Sequence, residues 1–166
     1  MFISDVLYFQ VFIRIKKLVE KSIFILFYGF IQIESRLLKK NEKRKPKIIL
    51  GTSPILNYKY WKGALNHAGF EATTLMIGYF NIINKKEDFD IYADDIKLGV
   101  FNNILNQIVK YLFKSKVVRD IYILRYACLN YDIFDCSCDG FIIGEYSFWE
   151  KEAIIMKKYN SRIVVN

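Results

Sequence analysis

The sequence predicts an α/β fold, a parallel sheet flanked by helices and preceded by an aromatic-rich helical leader. Three observations carry that expectation. After Pro46, short apolar runs alternate with apolar residues at helical spacing, which is the pattern of strand–helix–strand units. Turn and cap residues stand at the junctions between them. The charge is also divided unevenly: residues 1–47 carry 11 basic and 4 acidic side chains, whereas residues 48–166 carry 14 and 13. Nearly all of the net +8 therefore sits in the leader. Two units are expected, a basic helical leader over 1–46 and an α/β domain over 47–166.

In the leader, residues 2–33 are rich in large apolar side chains, yet the longest uncharged stretch, Ser22 to Ile33, has only 12 residues. A spanning helix needs roughly 20 apolar residues. Extending the stretch backwards takes in Lys21, Glu20, Lys17 and Lys16, which are costly in a bilayer core. The start Met-Phe-Ile-Ser-Asp and the lack of a small-residue cleavage site argue against a secretory signal. Two readings remain. In one, the leader lies in an anionic membrane surface, with Arg14, Lys16, Lys17 and Lys21 towards headgroups and the polybasic Arg36–Lys47 segment adding attraction. In the other, it packs on a protein surface and the basic run is a solvated linker.

Lys47–Thr52 is a short apolar run ending in glycine, a buried-strand signature. Ser53-Pro54 joins an N-cap residue to proline at the first helical position. Ile55, Tyr58, Trp61, Leu65 and Ala68 follow at helical spacing, and Gly69 is placed for the helix stop. Ala72–Ile77 is a second strand, which completes a parallel, right-handed strand–helix–strand unit. Residues 78–96 show no clean period and predict a long loop with short structured pieces. Leu98, Phe101, Leu105, Ile108 and Leu112 mark the next helix, and Val117, Ile121, Leu124 and Cys128 another. Tyr131–Cys136 is a third strand. Ser147-Phe-Trp-Glu150 fits a capping box opening a helix to about Tyr159, and Arg162–Val165 is a fourth strand. Ligands of open α/β sheets lie beyond the carboxyl ends of the strands, so a chain stopping just after Val165 is expected to be the front part of a longer one.

Composition excludes several classes. Ile, Lys and Asn make up about a third of the chain, so the number of lysines is weak evidence by itself. A near-neutral body lacks the basic groove of a nucleic-acid binder. Cys128, Cys136 and Cys138 are too few and too close for a disulfide scaffold, and with His67 the only histidine they make a poor metal set. Buried thiols in a reducing cytoplasm are the expectation, with no metal. The acidic stretch Glu87–Asp95 lacks the glycine and spacing of an EF-hand loop. Neither G-x-G-x-x-G nor G-x-x-x-x-G-K-[ST] occurs, which disfavours dinucleotide and P-loop sites.

Residues 47–166 resemble the N-terminal Rossmann-like domain of GT-B glycosyltransferases, especially bacterial family 4-like sugar transferases. The resemblance is carried by Lys47-Ile-Ile-Leu-Gly-Thr-Ser-Pro54, the helix through Tyr60-Trp61 and Ala64-Leu65, and Ala68-Gly-Phe-Glu71. It continues through Asn84–Asp90, Tyr131-Asp-Ile-Phe134, and the stretch from Phe148-Trp-Glu150 to Ile163-Val-Val165. It implies sugar transfer from a nucleotide-sugar to a glycan or lipid-linked acceptor in bacterial surface polysaccharide synthesis, at the cytoplasmic side and peripheral to the membrane. It also implies no resident cofactor: the nucleotide-sugar is a substrate, held mainly by a second domain outside these residues, without which the chain is not expected to be catalytically competent.

On the acceptor side, Gly51, Thr52 and Ser53 are candidates because a strand-to-helix junction offers backbone N–H groups to a sugar hydroxyl or an anion; the bland account is a glycine turn and a serine cap. Asp139 and Gly140, after the third strand, are candidates because a carboxylate there accepts bonds from hydroxyls; the bland account is an Asp-Gly turn. No catalytic residue is assigned. His67, late in its helix, is expected to meet the helix dipole. Tyr58, Tyr60 and Trp61 can stack on a sugar, although core packing of Trp61 and exposure of the tyrosines is the default. The alternative function is a non-catalytic interaction module docked through the leader.

Overall fold

The computed structural model describes residues 2–37, 45–52, 57–77, 85–136, 141–143, 149–159 and 161–165. In chain order these form α1 (Phe2–Leu37), β1 (Lys47–Leu50), α2 (Asn57–His67), β2 (Glu71–Met76), β3 (Ile91–Tyr92), α3 (Val100–Phe113), α4 (Val117–Asn130), β4 (Ile133–Cys136), α5 (Trp149–Lys158) and β5 (Arg162–Val165). The strands make one parallel sheet in the order β3-β2-β1-β4-β5. This is the expected α/β architecture, with a Rossmann-like strand order.

Successive side chains of a strand point to opposite faces, and here both faces are covered. Ile48, Leu50, Ala72 and Met76 face α2, where they pack with Tyr58, Phe89 and Tyr92. Ile49, Leu75 and Phe134 face the other way, onto α4 and α5. The near-continuous apolar strands follow from this double burial. α4 is the centre of that second layer, with Val117, Val118, Leu124, Ala127 and Cys128 fully buried.

α2 stops where the sequence places its stop. Gly69 adopts φ +85°, its N–H bonds to the Asn66 carbonyl, and the Phe70 N–H bonds to the Leu65 carbonyl. Those bonds satisfy carbonyls that the helix end leaves open. β3 is a strand that the sequence analysis did not separate from its loop, since two residues leave no alternating pattern to read. It is clamped instead by polar groups. The Asp90 carboxylate accepts from the Thr74 N–H (2.8 Å) and hydroxyl (2.9 Å), and the Asp90 N–H donates to Thr74 Oγ1 (2.9 Å).

One expectation is corrected. Tyr58 is 1 % exposed and Trp61 is 41 % exposed, the reverse of the default assignment. The Tyr58 ring fills the space over Gly51, and Trp61 stands against its edge at 5.6 Å. α3 forms where the apolar spacing predicts a helix, and most of that spacing turns outward. Phe101, Ile108 and Leu112 are exposed, while Val109 is buried and Leu105 packs partly against the core.

The inner face of α1 docks on α4 and α5. Phe24 and Ile31 are buried, and Lys151 and Lys158 lie over the Phe24 and Tyr28 rings at 5.3 and 5.2 Å. Glu34 pairs with the Arg125 guanidinium through both oxygens and accepts a bond from the Tyr159 hydroxyl (2.7 Å). The opposite face of α1 exposes Tyr8, Phe12, Ile15, Leu26, Phe30 and Ile33. Among the described residues, no helix is long and apolar enough to cross a membrane.

Candidate functional site at the carboxyl edge of the sheet

The central strands β1 and β4 end side by side, with Leu50 in register with Asp135. Immediately beyond β1, Gly51 is buried at φ +105°, and a Cβ there would lie 2.6 Å from the Leu75 carbonyl oxygen and 3.2 Å from the Tyr58 ring. Both the backbone angle and the missing side chain are therefore required by the packing. The Thr52 hydroxyl donates to the carbonyl of Phe141, so the loop after β1 is tied to the segment after β4.

That segment is held from below by α5. Glu152 is 1 % exposed, and its carboxylate accepts backbone N–H bonds from Phe141 (2.8 Å), Ile142 (2.7 Å) and Ile143 (3.0 Å). Burial raises its pKa above the ordinary 4.5, with the three N–H donors pulling the other way. Phe141 also stacks edge-on against Phe134 at 5.1 Å.

Asp135 near the end of β4 and Tyr58 of α2 are both buried close to one another beneath this edge. Burial first, then the neighbouring Asp135 carboxylate, keeps the phenol protonated far above its usual range. Burial, with Glu152 and Asp135 nearby, pushes the Cys136 thiol up to about 12. A nucleophilic cysteine needs a lowered pKa, so Cys136 is a thiol at neutral pH. Among the described residues, no group of three or more His, Cys, Asp or Glu side chains is placed to hold a metal ion.

Of the sequence-derived candidates, Gly51 and Thr52 lie at this edge, whereas Ser53, Asp139 and Gly140 lie outside the described residues. His67 is the last residue of α2, before the stop. Asp135, Tyr58 and Glu152 were not singled out for this edge, although two of them left a signal. Asp135 interrupts an otherwise buried strand, and Glu152 shares helical spacing with buried Ile155, Met156 and Tyr159. A carboxylate on a core-facing stripe calls for partners, and the loop of 141–143 supplies them.

Asp135, Glu152 and Tyr58 thus lie buried beneath this edge, and Thr52 above them is half-buried. The three N–H groups of residues 141–143 already hold Glu152 and are not open to a phosphate. Comparison with known proteins finds no match to a protein-family model, to a curated protein or to a solved structure.

Proposed function

We propose that the chain is the acceptor-side Rossmann-like domain of a GT-B glycosyltransferase, which transfers sugar from a nucleotide-sugar to a glycan or lipid-linked acceptor at the cytoplasmic face of an anionic membrane. One observation carries the reading. The central carboxyl edge, where open α/β sheets bind ligands, sets Thr52 among the buried acids Asp135 and Glu152 and commits its loop N–H groups to Glu152. The N–H groups of 141–143, taken up by Glu152, are closed to a phosphate, and the half-buried Thr52 is the polar side chain there that a sugar hydroxyl can meet. The basic leader and the apolar outer face of α1 support the membrane part. Fold alone does not fix function, so the weight lies on the edge chemistry and on the sequence resemblance.

The test is saturation-transfer NMR on the chain with neutral oligosaccharides, a polyprenyl-phosphate-linked saccharide in nanodiscs, and NAD as a dinucleotide control. Saccharide signals that weaken in Thr52→Val support the reading. Binding of NAD with none of the saccharides overturns it. The second reading, a non-catalytic module docked through the leader, is favoured by the exposed apolar stripe of α1; it takes over if neither class of small molecule binds.

A further inference from the structure

α3 is a helix with three faces. Leu105 and Val109 look inward. Val100, Phe101, Ile104, Ile108, Tyr111 and Leu112 make one outward stripe, with Phe101 76 % and Tyr111 78 % exposed. The third face, carrying Asn103, Asn106, Gln107 and Lys110, walls a pocket of about 410 Å³, within the size range of small-ligand sites. Lys97 precedes α3 in this wall, and Lys116 and Arg119 come from the start of α4.

Four cations and one carboxylate, Asp94, thus line the pocket. Asp94 and the buried Asp120 both pair with Arg119. Lys97, Lys110 and Lys116 have no salt-bridge partner among the described residues. The amides of Asn103, Asn106 and Gln107 add hydrogen-bond donors. This is a phosphate-like environment, bordered along one helix by an apolar stripe. Phe12 of α1 stacks on Phe113 at the end of α3 at 6.4 Å, which brings this part of α1 alongside, and Tyr8, Phe9 and Ile15 near it are exposed. α3 contains no acidic residue, and neither do residues 8–19 of α1, which carry Arg14, Lys16 and Lys17.

The geometry points to a lipid site: the pocket takes the phosphate headgroup of an anionic lipid, while the outer face of α3 and the adjoining part of α1 rest in the acyl region of the bilayer. Charge complementarity selects this occupant. A symmetric pairing of two copies through the same face would set cations against cations, whereas an anionic surface attracts each of them. Aromatic side chains at a boundary between apolar and charged surroundings suit the headgroup level. The proposal rests on the membrane part of the function proposed above and is independent of sugar transfer.

The test uses the full chain with vesicles of phosphatidylcholine containing phosphatidylglycerol, vesicles of phosphatidylcholine alone, and inorganic phosphate. Two double variants at exposed positions are compared, Lys110→Gln with Lys116→Gln for the pocket and Phe101→Ser with Ile104→Ser for the face, each checked for an unchanged urea midpoint. The chain is expected to bind the anionic vesicles and not the neutral ones. The pocket variant should bind them about 25-fold more weakly, from about fivefold for each cation near the surface. The face variant should lose vesicle binding yet keep the weak phosphate-induced shifts of the pocket amides. Anionic vesicles bound equally by both variants would overturn the lipid site while leaving a leader-bound membrane reading. No vesicle binding by the unaltered chain would overturn both, leaving sugar transfer to its own test. Phosphate binding without vesicle binding, or self-association abolished in the face variant, would overturn the lipid occupant.

Discussion

At Gly51 a single hydrogen in place of a side chain lets β1, β2 and α2 close on one another. The Leu75 carbonyl 2.6 Å from a built Cβ belongs to the neighbouring strand, so it moves only if the sheet moves, and φ +105° is unfavourable for any other residue. Gly51→Ala is therefore expected to lower the unfolding free energy by about 3 kcal/mol or more, read as a lower urea midpoint with an unchanged slope. A midpoint within experimental error of the parent would show that the turn relaxes and that the glycine is not a packing requirement. The importance of Gly51 was legible in the sequence because an apolar run ending in glycine before a helix start has few structural uses. Tyr58 was not, because its spacing with Trp61 and Leu65 fits two neighbouring faces of α2 equally well. Only the space above Gly51 decides which ring goes inside. Glu152 shows the same limit from the other side: its spacing with Ile155, Met156 and Tyr159 puts it on the core stripe, but its partners come from a loop whose course periodicity does not describe.

At the scale of elements, α1 is read most clearly by contrasting its two faces. Ile31 is fully buried against the body, and Ile31→Ala should cost about 2–4 kcal/mol. Leu26 is 74 % exposed, and Leu26→Ala should stay within about 0.5 kcal/mol. Equal small effects in urea melts would mean that the helix is not docked in solution. The polar anchor of the same contact adds a pH signature. Burial raises the Glu34 pKa, but the bonds from Arg125 and Tyr159 outweigh it and leave the carboxyl below its ordinary 4.5. Its stabilising contribution is thus complete above that value and is lost as pH falls through the lower, folded-state pKa. Glu34→Gln should be about 1–3 kcal/mol less stable than the parent at pH 7, and the gap should narrow below pH 4.5. A gap that is constant from pH 7 to strongly acid solution would contradict the ion pair. Element types and most boundaries were legible because strands and helices leave different periods. The direction of α3 was not, since a period tells which residues share a face and not whether that face meets core or surroundings. The leader shows both halves of this: its apolar content was plain, and its division into a docked face and an outward one required α4 and α5 to be in place.

Over the whole molecule, the two sides of the sheet are chemically unlike. On the α2 side, lysines are matched by acids, Lys59 with Asp88 at 2.9 Å and Lys62 with Asp90. On the other side, α4 is buried while α1 and α3 turn apolar stripes outward, and the basic groups nearby outnumber the acids. Apolar surface of this extent on one side is what the proposed membrane contact would cover. The asymmetry makes a prediction that no single variant tests. Backbone amide exchange should be slowest in α4, β1 and β4, whose side chains form the buried centre, and faster in residues 8–19 of α1. Adding anionic vesicles should slow exchange along α3 and in that part of α1 while leaving α2 unchanged, because α2 lies across the sheet from the proposed contact. The pattern is read by mass spectrometry of peptides covering each helix. Protection gained in α2 instead would place the contact on the charge-matched side and contradict the orientation argued from the exposed stripes. Protection gained equally in all helices would indicate global stabilisation rather than docking by one face. With protection confined to α3 and α1, the uneven charge of the sequence has a physical use: it holds the outer helices against a negative surface and leaves the opposite side of the sheet to solvent.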